Sequence, residues 1–252
     1  MAKIALITGA TSGIGKATAR LFAQHGLDLI LCGRREDRLQ ELQKELAARV
    51  RVHTLTFDVR NRAAVEAAFR SLPADWQAID VLINNAGNAH GLAPIQEGSV
   101  DDWDAMIDGN VKGLLYVSKA VIPGMVSRRG GHIVNIGSLA AKEVYPNGNV
   151  YCASKQAVDA LTQGMRLDLN PFGIKVTGIH PGLVETEFSV VRFKGDTQRA
   201  DNVYKGYQPL VAEDIADVIW FVVSRPAHVV VADLLIMPTA QASATVVNKQ
   251  QV

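Results

Sequence analysis

The chain has 252 residues, 48% of them apolar, and 26 basic against 25 acidic side chains give a formal charge of +1. This composition excludes a disordered tail and allows a sizeable core, and it lacks the concentrated basic footprint of a nucleic-acid binder. Two cysteines, Cys32 and Cys152, are too few for a disulfide framework and fit a reducing cytoplasm.

The first apolar run, residues 4–7, follows Met1-Ala2-Lys3 and falls short of the roughly 7–15 apolar residues of a secretory core. Residues 4–7, 28–32, 52–57, 81–84, 133–136 and 175–179 are short, nearly continuous apolar runs. Such runs predict strands buried on both faces. Between them, 14–25, 36–49 and 62–71 predict helices. Leu39, Leu42 and Leu46 recur at i, i+3 and i+7 on one face of the second. Longer helices are expected at 102–128 and 151–170, a shorter one at 213–224, and a last strand at 229–236. The apolar run ending that strand carries Asp233 and stops at Pro238, far below the roughly 20 residues of a membrane span. Six scattered histidines and the lack of a Cys-x-x-Cys pair predict no metal site. The alternation predicts an α/β fold, a single domain over 1–252 built on a doubly wound parallel sheet. Residues 185–208 are polar and charged and break the rhythm, as a binding loop or lid does.

Ligands of such sheets bind beyond the carboxyl ends of the strands. After the first strand, Thr8-Gly9-Ala10-Thr11-Ser12-Gly13-Ile14-Gly15 opens directly into a helix. Glycines let backbone approach a pyrophosphate, and a helix N-terminus offers free N–H groups. The spacing is G-x-x-x-G-x-G, which an ordinary glycine-rich turn also satisfies. After the second strand stand Arg34 and Arg35, with no carboxylate before Glu36. Guanidinium groups suit a 2′-phosphate, so the pair points to NADP rather than NAD; a solvated arginine pair is the alternative. Asp58 and Val59 follow the third strand. Asp58 can accept from an adenine amino group or serve as a turn residue. Asn84-Asn85-Ala86-Gly87 ends the fourth strand. Asn84 reads as a bridge between strands, and the small residues after it let a cofactor lie on the backbone.

Ser138 follows the fifth strand, and Tyr151 and Lys155 share one helix face at i, i+4. A free phenol titrates near roughly 10. An ammonium close by lowers that value and makes an acid/base suited to neutral pH. Cys152, beside Tyr151, reads as a reactive thiol or as a small buried hydrophobe.

TGATSGIG, NNAG, Asn110, Ser138, YCASK and Pro181-Gly182 stand in an order and spacing that resemble the short-chain dehydrogenase/reductase family over nearly the whole chain. The resemblance implies a Rossmann-type sheet of seven parallel strands. It implies Tyr151 as general acid/base, Lys155 as its modulator and ribose ligand, Ser138 as holder of the substrate oxygen, and Asn110 as positioner of a relay water. It further implies nicotinamide contacts from Pro181, Gly182, Val184 and Thr186, and homotetramers formed through the helices at 102–128 and 151–170. A narrower resemblance, carried by GLVETEFSVVRFKGD and AHVVVADLLIMPTAQ, is to family members that oxidise short 3-hydroxy acids such as serine and allo-threonine with NADP. It implies a small anionic substrate, with Arg192 as carboxylate clamp or as a solvated loop arginine, Lys194 as a weaker candidate, and the Tyr145-Pro146-Asn147 loop as pocket lining. The alternatives are a reductase of uncharged ketones, a non-catalytic cofactor-binding scaffold, and a nucleotide-sugar epimerase, which carries a larger C-terminal part than this chain has.

Overall fold

The computed structural model describes residues 2–249. Met1 and residues 250–252, which the one-domain expectation includes, lie outside the described residues. Seven parallel strands form one sheet in the order β3-β2-β1-β4-β5-β6-β7. They are β1 (Ile4–Thr8), β2 (Asp28–Gly33), β3 (Val52–Thr56), β4 (Ile79–Asn84), β5 (Gly131–Ile136), β6 (Ile174–Pro181) and β7 (Asp233–Ile236). The last is shorter than expected, pairing with β6 only from Gly178–Asp233 to Pro181–Ile236.

Alternation within each strand feeds two separate cores. Ala5, Ile7, Leu29, Leu31, Val81 and Ile83 face one side, under α1 (Gly13–Gln24), α2 (Glu36–Leu46) and α9 (Ala212–Val223). Ile4, Leu6, Ile30, Leu82 and Ile133 face the other, under α3 (Arg62–Arg70), α5 (Gly113–Arg128) and α6 (Asn149–Leu169). Every residue of β1 and β2 is buried, as an apolar run covered on both faces requires. Among the described residues no helix is long and apolar enough to cross a membrane.

Two expectations are corrected. The helix expected at 102–128 is two helices, α4 (Val100–Ile107) and α5, joined by a π-turn at Asp108–Lys112. A π-turn carries one extra residue per turn; periodicity over the flanking helices does not reveal it. Residues 185–208 are not an irregular loop. They hold two short helices, α7 (Phe188–Arg192) and α8 (Thr197–Tyr204), the second capped by Asp196 accepting from the Arg199 N–H at 2.9 Å.

Candidate active site

The carboxyl ends of β1, β2, β4, β5 and β6 open into a cleft of about 460 Å³, within the range of small-molecule sites. Its first wall is the turn from β1 into α1. Gly9 and Gly13 have φ of +66° and +49°, which only glycine adopts without strain. A methyl group on Gly9 would lie 2.9 Å from Asn85 Nδ2. Gly9, Thr11, Ser12, Gly13 and Ile14 line the cleft. Gly15 does not; it packs against the Gly9 carbonyl, where a side chain has no room. The Asn85 amide donates to Thr8 O at 2.9 Å, and the Asn85 and Ala86 N–H groups donate to Thr8 Oγ1 at 3.0 Å. This ties the end of β4 to the turn and leaves a backbone cradle of the kind a pyrophosphate needs.

Arg35 spans the rim. It donates to Thr11 Oγ1 at 3.0 Å, to Ser12 Oγ at 2.9 Å and to Glu187 Oε2 at 2.9 Å. Arg34 is exposed, with Asp58 at 3.9 Å. Asp58 is held by Arg60 through its backbone N–H at 3.0 Å and its guanidinium at 2.6 Å. Burial raises the Asp58 pKa, but Arg60 outweighs burial and keeps it below its ordinary value. Val59 also lines the cleft and packs on Gly113, where a methyl would come within 2.7 Å of its Cγ2. Asn84 is structural: its amide donates to Ser118 Oγ and Asn135 Oδ1, both at 2.9 Å.

Ser138, Tyr151 and Lys155 meet at the floor of the cleft. Tyr151 and Lys155 project from the first turns of α6, and Ser138 starts the turn after β5. The Lys155 amine donates to Ile136 O at 3.0 Å, and burial lowers its pKa to about 8. Burial pushes the Tyr151 phenol above its ordinary value, while the Ser138 hydroxyl and the Arg192 charge pull it back. Desolvation is the largest influence on this phenol, and the helical spacing of Tyr151 and Lys155 brings both to the cleft floor. Asn110 sits one layer behind the cleft. Its amide donates to Asn88 O at 2.8 Å and Ser154 Oγ at 3.0 Å, and its Oδ1 accepts from the Asn88 N–H at 2.8 Å. The Asn110 side chain clamps the Asn88 segment to α6, and the π-turn delivers it there.

The opposite wall comes from Pro181 at the end of β6, from Gly182, Val184 and Thr186 after it, and from α7. Arg192 lies over the floor, its guanidinium carbon 5.5 Å from the Tyr151 ring centroid and 5.7 Å from that of Tyr145. It donates to Gly91 O at 3.2 Å and to the Tyr145 hydroxyl at 3.1 Å. Lys194 pairs with Asp102 at 3.0 Å and does not line the cleft. Cys152 is fully buried, its thiol pushed up by burial, which favours the small-hydrophobe reading. Sequence reasoning passed over Glu187 and Arg38, bonded to each other at 2.7 Å; Arg38 stands three residues beyond Arg35, hence on the same helix face. It also passed over Asp159, His180 and Asp233, whose ligand-type atoms cluster within 4.8 Å. Lys142 supplies that cluster with a cation, donating to both carboxylates at 3.0 and 2.8 Å.

A model of the family described as short chain dehydrogenase matches residues 3–196. The chain belongs to the short chain dehydrogenase family. It is 50% identical, over 96% of its length and 97% of the relative's, to an NADP-dependent 3-hydroxy acid dehydrogenase YdfG of Salmonella typhi. It is 48% identical, over 96% of each chain, to sulfoacetaldehyde reductase 2 of Chromohalobacter salexigens. A solved structure described as the closed form of serine dehydrogenase complexed with NADP+ superposes with a TM-score of 0.92 at 48% identity, covering 98% of this chain and 100% of that one. As a short chain dehydrogenase, the protein is an oxidoreductase acting on a CH–OH group.

Proposed function

We propose that this short chain dehydrogenase oxidises short 3-hydroxy acids of the serine, allo-threonine, 3-hydroxypropionate and 3-hydroxyisobutyrate kind, with NADP as cofactor. The glycine cradle, Asn85–Gly87 and Thr186 fit a dinucleotide, and Arg34 and Arg35 fit its 2′-phosphate. When bound, the nicotinamide takes up or returns the hydride. Ser138 holds the substrate oxygen by hydrogen bond. Tyr151 takes the proton of that oxygen in oxidation and gives it back in the reductive direction. Lys155, with its pKa of about 8, lies close enough to neutrality to exchange a proton with its surroundings. Asn110 keeps the Asn88 segment in place beneath it.

One observation carries the choice of substrate: a guanidinium stands 5.5 Å above the ring of the proton-transfer tyrosine. Arg192 commits two of its N–H groups, to Gly91 O and Tyr145. Three of the five remain for a bidentate hold on a carboxylate. An uncharged ketone would leave that half-buried cation without a counter-charge, which disfavours the ketone-reductase reading. A second reading, reduction of a small sulfonated aldehyde, is favoured by the sulfoacetaldehyde reductase relative, because a sulfonate satisfies the same donors. The test is a panel of 3-hydroxy acids, sulfonated aldehydes and neutral diketones, each with both nicotinamide cofactors and followed at the reduced-cofactor absorbance. Turnover confined to the neutral diketones rejects both anionic readings. The exposed Leu115 on α5 and Leu167 on α6 support assembly as a tetramer through these helices, checked by light scattering on the eluted protein.

A further inference from the structure

Glu187 is the N-cap of α7 and reaches across the cleft rim to α2. Its two carboxylate oxygens accept from two different guanidinium groups, Oε2 from Arg35 Nη1 at 2.9 Å and Oε1 from Arg38 Nη1 at 2.7 Å. Arg35 also donates to the hydroxyls of Thr11 and Ser12, so its guanidinium links the carboxylate to the phosphate turn. Arg35 thus commits Nε once, Nη2 twice and Nη1 once, four of the five N–H groups a guanidinium carries. A phosphate taken in the usual bidentate way needs two. One of the present partners must then let go, and Glu187 is the one whose negative charge the phosphate replaces. Burial raises the Glu187 pKa, but the two arginines outweigh it, so the carboxylate is ionised and a true competitor.

Building on the NADP reading above, we infer that Glu187 occupies the seat of the cofactor's 2′-phosphate and is a specificity-determining residue: phosphate and carboxylate compete for Arg35 and Arg38. The 2′-phosphate takes both guanidinium groups and frees the start of α7. The same five-residue helix ends at Arg192, about 7.5 Å further on at 1.5 Å per residue. Release at one end of α7 therefore acts on the residue that stands over Tyr151 at the other. NAD, with a 2′-hydroxyl, has no charge to displace Glu187 and leaves this contact in place.

The experiment measures dissociation constants of NADPH and NADH by nicotinamide fluorescence, and of 2′,5′-ADP and 5′-AMP by their displacement of NADPH. The proteins are the wild type, Glu187→Gln and Arg38→Gln. Removing the competitor raises the share of sites ready for phosphate, so Glu187→Gln binds NADPH and 2′,5′-ADP roughly two- to fivefold more tightly, the scale of an exposed ion pair. NADH and 5′-AMP are unchanged. Arg38→Gln weakens NADPH and 2′,5′-ADP and spares NADH and 5′-AMP. A Glu187→Gln protein that binds NADPH no better, or gains equally for NADH, overturns the inference, as does an Arg38→Gln protein with wild-type affinity for 2′,5′-ADP. A wild type with no preference for NADPH over NADH instead rejects the NADP reading itself.

Discussion

The floor of the cleft and its far wall hold their charged groups by different means. On the floor, Lys155 and Tyr151 are 7% and 8% exposed and Lys155 is fixed by the Ile136 carbonyl; one layer behind, Asn110 is buried and bonded to Ser154. On the wall, Glu187 has a side chain 47% exposed and is held by ion pairs to Arg35 and Arg38; Lys194, just beyond the wall, is 62% exposed and paired with Asp102. Water screens the second kind of contact and not the first. The floor is accordingly where proton affinities are shifted most, and the wall is where contacts exchange at low cost.

The sharpest test of this contrast removes one oxygen from the floor. Tyr151→Phe should lose roughly 10²–10⁴-fold in kcat, the worth of general acid–base help, with NADPH affinity retained by fluorescence titration. A variant that keeps full turnover ends the assignment of the proton-transfer group.

Next in size is a pH effect on stability. Burial lowers Lys155 from 10.5 to about 8, so between these values the unfolded chain binds the proton that the folded protein has lost. Stability therefore rises with pH through that window, by about 3 kcal/mol for this group alone. Lys155→Met lacks that rise. Denaturant melts at pH 7.5 and 10.5 should show the difference between the two proteins changing in that direction; parallel curves would mean the amine is not desolvated.

On the wall, Arg192→Gln should raise KM for 3-hydroxy acids roughly ten- to hundredfold, the worth of a charged hydrogen bond. Neutral diketones, if turned over at all, should be unaffected, and the thermal midpoint should stay where it is. An equal loss for both substrate types would make Arg192 a scaffold for Tyr145 rather than a clamp. The smallest effect is expected for Asp102→Asn. It removes the Lys194 ion pair and should change stability by less than about 1 kcal/mol, with any kinetic change abolished by raising salt.

The floor is legible in the amino-acid sequence. Tyr151 and Lys155 need only helical spacing, Ser138 only its place after a strand, and the phosphate turn only its glycines. What spacing does not show there is burial, which raises the Tyr151 phenol and lowers the Lys155 amine. The wall is legible only as a polar interruption. Its two short helices, and the meeting of Glu187 with Arg35 across 152 positions, leave no periodic signal. The π-turn that places Asn110 escapes for a related reason, since one inserted residue is invisible when both flanking helices keep their period.

Sequence by itself determined the parallel sheet, the order of the turns at its carboxyl ends and the placing of Tyr151 and Lys155 on one helix face, because strand burial and helical spacing are local properties that a linear pattern records. Tertiary structure alone decided that Arg192 stands over Tyr151, that Glu187 closes on two arginines at the start of α2, and how far each buried group is shifted. Those outcomes depend on which distant surfaces exclude water from a given atom, and that is settled only when the chain has folded back on itself.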